Sequence, residues 1–210
     1  MSRTIRRAVI LAAACLSACS GLFQSKIAPP TIYVLAAAPP AQAPPDARVP
    51  VDLAILKPKM PAGLQMDRIA VLYPDRRLDY FADARWSGPL TEVLQDFAVR
   101  EFQLHGNLRT VSGDTSVFAS SYWLELEFSD FQAEYTQASA APAVHVRLLA
   151  RLGRSGDRRI LGRFEADALK PAAQNRLTAI VDAYAQAADA ALGEIVAAAA
   201  AVLAKNSQSP

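Results

Sequence analysis

Between residues 177 and 203, Leu177, Ile180, Val181, Tyr184, Ala188, Ala191, Leu192, Ile195, Val196, Val202 and Leu203 recur at spacings of three and four. That spacing predicts an amphipathic helix of about seven turns. A helix this long must cover its apolar stripe with another layer, so the rest of the chain has to supply a broad apolar surface. Its alanine-rich stretch at 197–201 has little side-chain bulk and permits close approach to that surface.

Alternating segments supply the surface. From Tyr122, the residues Tyr122, Leu124, Leu126 and Phe128 fall on one side, with Glu125, Glu127 and Ser129 on the other. This is the pattern of a strand with one wet face, and it extends to Tyr135. Val144, Val146, Leu148, Ala150 and Leu152 repeat it against His145, Arg147 and Arg151, and residues 158–166 follow after Arg154-Ser155-Gly156-Asp157, a hairpin turn. Shorter strands are expected at 31–35, 51–56, 69–73 and 77–81, punctuated by Pro58, Pro61, Gly63 and Pro74-Asp75. Residues 36–50 carry prolines at 39, 40, 44, 45 and 50, which exclude a helix interior or a central strand. They read as a surface loop rather than a linker between domains, because a five-residue strand is not stable without the sheet that follows.

A second helix is expected at 90–104, where Leu90, Val93, Leu94, Phe97 and Leu104 share a face. Pro89 suits its first turn and Gly106 its C-terminal cap. Glu101 interrupts the apolar face. Either the face tips out of the core there, or Arg85 or Arg109 pairs with it, or the carboxylate contacts a partner. The expected fold class is therefore α+β: an antiparallel sheet of about six strands with two amphipathic helices on one face.

The N-terminus limits where such a domain works. Arg3, Arg6 and Arg7 precede an uncharged run from Ala8 to Leu16 that is too short to span a bilayer and reads as an export signal. Leu16-Ser17-Ala18-Cys19 resembles a lipobox, so cleavage is expected between Ala18 and Cys19, with lipid on the Cys19 thiol. Cys15 is the poorer acceptor, since Ala12 stands where a branched residue belongs. Ser20 rather than Asp after the cysteine favours outer-membrane sorting on the periplasmic side. The expected layout is a signal at 1–18, a lipidated tether at 19–30, one domain at 31–204 and a disordered tail at 205–210. Fully extended, residues 20–30 reach about 35 to 40 Å, so the domain can stand off its membrane.

Removing the signal leaves 19 basic against 20 acidic residues, and a near-neutral domain has no electrostatic footprint for nucleic acid. With Cys15 removed and Cys19 lipidated, no disulfide can form, so the core alone must hold the fold. His105 and His145 are the only histidines and read as solvated surface residues, with no thiol to complete a metal cluster. Gly153-Arg154-Ser155-Gly156 is one residue short of a nucleophile elbow, and no nucleotide-binding loop occurs. A non-enzyme without cofactor or metal is expected.

The lipobox, Tyr33-Val34-Leu35, the stretch YFADARWSGPL from Tyr80 to Leu90 and the alanine-rich last helix occur in an order that resembles the ABC-type transport auxiliary lipoproteins. That family includes the lipoprotein of paraquat-inducible Pqi systems. The resemblance implies an envelope protein that partners an MCE-domain protein, and through it an ABC permease and ATPase, in moving phospholipid or another hydrophobic substrate. It implies no catalytic residues. Tyr80, Phe81, Arg85 and Trp86 are the candidate partner contacts, with core packing as the competing reading of the aromatic pair. A structural lipoprotein that scaffolds an outer-membrane assembly complex is the alternative function; a lipid-anchored hydrolase would need a site not evident in the sequence.

Overall fold

In the computed structural model, residues 29–36, 48–113, 119–136 and 140–207 are described. Cys19 and its signal, the tether before residue 29, prolines 39, 40, 44 and 45, and residues 208–210 lie outside them. Among the described residues two α-helices and eight strands form, in the order β1 (Thr31–Tyr33), β2 (Val49–Ile55), β3 (Arg68–Leu72), β4 (Leu78–Trp86), α1 (Leu90–His105), β5 (Leu108–Gly113), β6 (Tyr122–Glu134), β7 (Ala143–Arg154), β8 (Ile160–Pro171) and α2 (Leu177–Ser207), with a single 3-10 turn at Ala62–Leu64.

The sheet is larger than expected and mixed. The expected antiparallel meander of β6, β7 and β8 forms, and β3 and β4 are also antiparallel, but the sheet as a whole is not. Elsewhere β1 runs parallel to β4, β2 parallel to both β5 and β6, and β3 parallel to β6. The length of β6 explains this. Twelve of its thirteen residues pair with β7, Ser129 being the bulge, and its other edge takes two shorter strands end to end. Leu53–Ile55 of β2 lie against Tyr122–Leu124, and Val71–Leu72 of β3 against Ala133–Glu134. Between them Lys59 completes the ladder: its N–H donates to the Leu126 carbonyl (2.9 Å) and its carbonyl accepts from the Phe128 N–H (2.8 Å). The eighth strand, β5, gives no alternating signal because only Leu108 and Val111 are buried, three residues apart.

Both helices join the core. α2 packs mainly on β7 and β8, whereas α1 packs on β5 and β2 and against α2. Ala187, Ala188, Ala191 and Ala199 are wholly buried, so the small residues that pack inward lie mostly before the expected stretch 197–201, of which Ala199 alone is buried. α2 is long and apolar enough to cross a membrane, but Ile180, Tyr184, Leu192, Ile195 and Leu203 are spent on the core at 0 to 1% exposure. It also continues to Ser207, three residues past its expected end. Two buried hydrogen bonds pin the helices: Tyr184 Oη donates to the Ala70 carbonyl (2.5 Å), and Gln95 Nε2 to the Ile55 carbonyl (2.9 Å). Gly106 closes α1, where a Cβ would stand 2.5 Å from the Phe102 carbonyl oxygen. The left-handed residue is the following Asn107 (φ 49°).

Candidate functional site

The YFADARW segment forms β4, but not as one regular strand. Ala70 of β3 faces Tyr80 while Arg68 faces Arg85, so two residues of travel on β3 span five on β4. The excess bulges out at residues 81–84, with Asp83 in the left-handed region (φ 52°). Bulges re-aim side chains, and this one divides the four candidate contacts. Trp86 turns inward and is 2% exposed, edge-on to Phe131 (6.2 Å) and Tyr184 (5.2 Å), so its ring offers no surface to a partner. Tyr80 is half-buried, its hydroxyl donating to the Gly63 carbonyl (2.8 Å) and its ring under the Arg68 guanidinium (4.3 Å). Phe81 is half-buried on the bulge, and Arg85 is exposed, its Nη1 donating to both Asp67 oxygens at 2.9 and 3.0 Å. Phe81 and Arg85 are thus the candidates that keep outward surface.

A second constellation covers the open face of β6, β7 and β8. Alternation placed Glu125, Glu127, His145, Arg147 and Arg151 on this side, but it could not show that the register matches opposite charges. Glu125 faces Arg151, Asp130 faces Arg147, Gln132 faces His145, and Arg147 in turn faces Asp167. Arg151 donates to Glu125 (2.5 Å) and Glu127 (2.9 Å), and Lys59 to Glu125 (2.7 Å). Arg147 donates to Asp167 at 2.6 Å. These partners, Lys59 foremost at Glu125 and Arg147 foremost at Asp167, hold both carboxyls below their ordinary range. A hollow of about 500 Å³ lies among Glu127, Ser129, Arg147, Glu165 and Asp167. Ion-paired carboxylates with lowered pKa present charge; they are poor proton donors at neutral pH.

His145 departs from the solvated role expected for it. Its side chain is 17% exposed and clamped, with Nδ1 2.9 Å from Glu134 Oε1 and Nε2 2.8 Å from Asp167 Oδ1. Burial disfavours its charged form, but the hydrogen bonds to Glu134 and Asp167 outweigh burial and raise its pKa. Asp130, Glu134 and His145 also bring three potential ligand atoms within 4.8 Å of one another, a grouping the sequence did not reveal. Gln132 Nε2 donates to Asp130 and Glu134 there (2.9 Å each), so an amide and the His145 ring already occupy these carboxylates. A raised histidine pKa contributes stability that is full below the unfolded value near 6.5 and is lost as pH climbs through the folded value. Urea midpoints from about pH 5.5 to 8.5 should fall less in His145→Gln than in the wild type; parallel curves would refute the clamp.

Glu101 is neither tipped out nor paired with an arginine. It is 1% exposed, Arg85 is taken by Asp67, and Arg109 by Asp52. Being buried, it cannot contact a partner. His105 closes α1 with Nε2 3.9 Å from Glu101 Oε2.

The described residues form a two-layer α+β domain whose polar side chains pair in arrays across its open face. A model of the family described as the ABC-type transport auxiliary lipoprotein component matches residues 33–196, and the chain belongs to that family. It is therefore a transport-associated lipoprotein of the cell envelope. The fold is similar to the crystal structure of a Xanthomonas campestris protein of the DUF330 family, with 25% identity and a TM-score of 0.75 over 85% of this chain and 99% of that one. A hypothetical protein of Chlamydia trachomatis shares the fold at 10% identity and a TM-score of 0.52, over 75% of this chain and 99% of that one. No curated protein matches the chain.

Proposed function

We propose that this lipoprotein is the periplasmic, outer-membrane-anchored auxiliary subunit of an ABC transporter with an MCE-domain component, and that it supports movement of phospholipid or another hydrophobic substrate without catalysing a reaction. The family match over residues 33–196 carries this reading, beside the lipobox ending at Cys19. The chain's own residues agree with a docking role. Lipid on Cys19 holds the domain at a membrane, and the tether gives it reach toward a partner. Glu125, Glu127, Arg147, Arg151 and Asp167 on the open face are ion-paired, and the opposite charges there leave no field that favours polyanions. Phe81 and Arg85, on the β4 bulge, are the first contacts to test, since a bulged strand beside a half-buried aromatic is a compact, pre-shaped surface.

The test is in-cell crosslinking of the tagged protein, with identification of what it captures, beside envelope sensitivity to detergents and hydrophobic drugs after deletion of the gene. Capture of an MCE-domain protein is expected, together with raised sensitivity rescued by the wild type and not by Cys19→Ala. Phe81→Ala with Arg85→Ala should weaken capture without unfolding the domain. Capture of outer-membrane assembly factors alone, with no MCE protein encoded nearby, would move the assignment to the scaffold role.

A further inference from the structure

Among the described residues the sheet has three free edges, and they are unlike one another. β1 offers three residues and β5 six, whereas β8 offers twelve and pairs only with β7 among the described residues. From Gly162 to Pro171 the β7–β8 register runs without a bulge. Proteins ordinarily shorten, bulge or cover such an edge, because its unpaired N–H and C=O groups are a template for another strand. Ile160 and Leu169 on this edge are 41% and 58% exposed.

We propose that a second copy of this chain pairs its β8 with this β8, antiparallel about a two-fold axis at Phe164, so that Arg163 of each copy faces Glu165 of the other. Charge selects both occupant and register. Ala166 and Ala168 lie under α2, so the odd-numbered residues Arg163, Glu165 and Asp167 face the open side. Within the chain Arg163 lies opposite Arg151 and Glu165 opposite Leu149, and neither makes an ion pair among the described residues. The edge thus carries a cation beside a like charge and, two residues on, an unmatched anion. A two-fold axis through the sheet keeps open face with open face, so each allowed register sets one residue opposite itself. Centred on Arg163 or on Glu165, like charges meet at the axis; centred on Ala166, Glu165 meets Asp167 twice. Centred on Phe164, residues 160–168 of the two copies pair and Arg163 meets Glu165 twice, which supplies the counter-ion each lacks. Phe164 is a firm centre, its ring filling the place of the absent Gly162 side chain, where a Cβ would stand 2.5 Å from the ring.

Full-length chain carrying Phe164→Cys, expressed in cells, should form a disulfide-linked dimer under mild oxidation. Leu169→Cys should not, because the proposed register separates its two copies by roughly 33 Å. The unsubstituted chain gives the background from Cys19. In sedimentation of the detergent-solubilised full chain, Arg163→Glu and Glu165→Arg should each raise the dimer dissociation constant about tenfold, and the two together should restore it. The charge series stands by itself should Phe164→Cys fail to fold. Equal crosslinking of the two cysteine variants, a monomeric wild type, a double variant no better than the singles, or a Phe164→Cys adduct with a different protein would overturn the proposal.

Discussion

Trp86→Ala is expected to lower the stability of the domain by about 3 to 5 kcal/mol, the usual loss for removing a large buried aromatic side chain. The ring sits where three elements meet. Trp86 comes from β4, Phe131 from β6 and Tyr184 from α2, and the Phe131 and Tyr184 rings are themselves 5.2 Å apart. Phe128 continues the cluster edge-on to Phe131 at 6.1 Å. Removing the indole leaves a cavity lined by rigid rings, which cannot collapse into it cheaply. Trp86→Phe separates packing from polarity. The indole Nε1 is buried with no hydrogen-bond partner, so phenylalanine gives up volume but also removes an unsatisfied donor, and the cost should be less than half that of alanine. Urea midpoints for the two variants decide the matter. A loss below about 1 kcal/mol for Trp86→Ala, with partner capture abolished, would reassign the ring to an interface.

The same tryptophan shows how far the sequence could be read. Its place at the end of YFADARW, before Pro89 and the helix, was visible, and the sequence favoured packing over partner contact without deciding between them. The deciding feature is the bulge at residues 81–84: β4 pairs with β3 up to Tyr80 and again at Arg85, and takes β1 on its other edge from Ala84. Nothing in the period-2 pattern announces such an interruption within one strand. The mixed sheet was hidden for a related reason. Alternation reports which face of a strand is buried and says nothing of its neighbours, so β2 and β3 read as ordinary strands although both lie parallel to β6 on one edge. By contrast, α2 and the β6–β7–β8 meander were legible because their periodicity persists for many residues, and one hairpin fixes the order of the last two strands. Even there the turn chemistry differed in detail: the left-handed residue is Arg158 (φ 57°) rather than Gly156, with Asp157 accepting from the Arg159 N–H at 3.1 Å.

Replacing Glu101 should stabilise the domain, and more so the higher the pH. The carboxyl lies on the buried face of α1 beside Phe97, Ala98 and Phe102, and its Oε1 has no hydrogen-bond partner. Burial raises its pKa above the ordinary glutamate value, Asp189 on α2 adds to the rise, and His105 pulls it partly back. An acid with a raised folded pKa binds more protons folded than unfolded in the window above its unfolded value near 4.3. Stability therefore falls as pH rises through that window and stays reduced beyond the folded value. Glu101→Leu removes both the charge and the orphaned oxygen at similar bulk, and should gain roughly 1 to 3 kcal/mol at about pH 8. Glu101→Gln removes the charge but keeps a buried polar group, so it should gain less while showing the same flattened pH dependence. Below the unfolded value, where the carboxyl is protonated in both states, the advantage of Glu101→Gln should vanish. His105→Ala should steepen the wild-type decline, because it withdraws the only group there that favours the ionised form. The measurement is urea unfolding of the four proteins across pH. A Glu101→Leu variant that is less stable than the wild type at pH 8, or a gap that does not widen with pH, would mean that the carboxylate has a counter-charge in the folded protein and is held there by it.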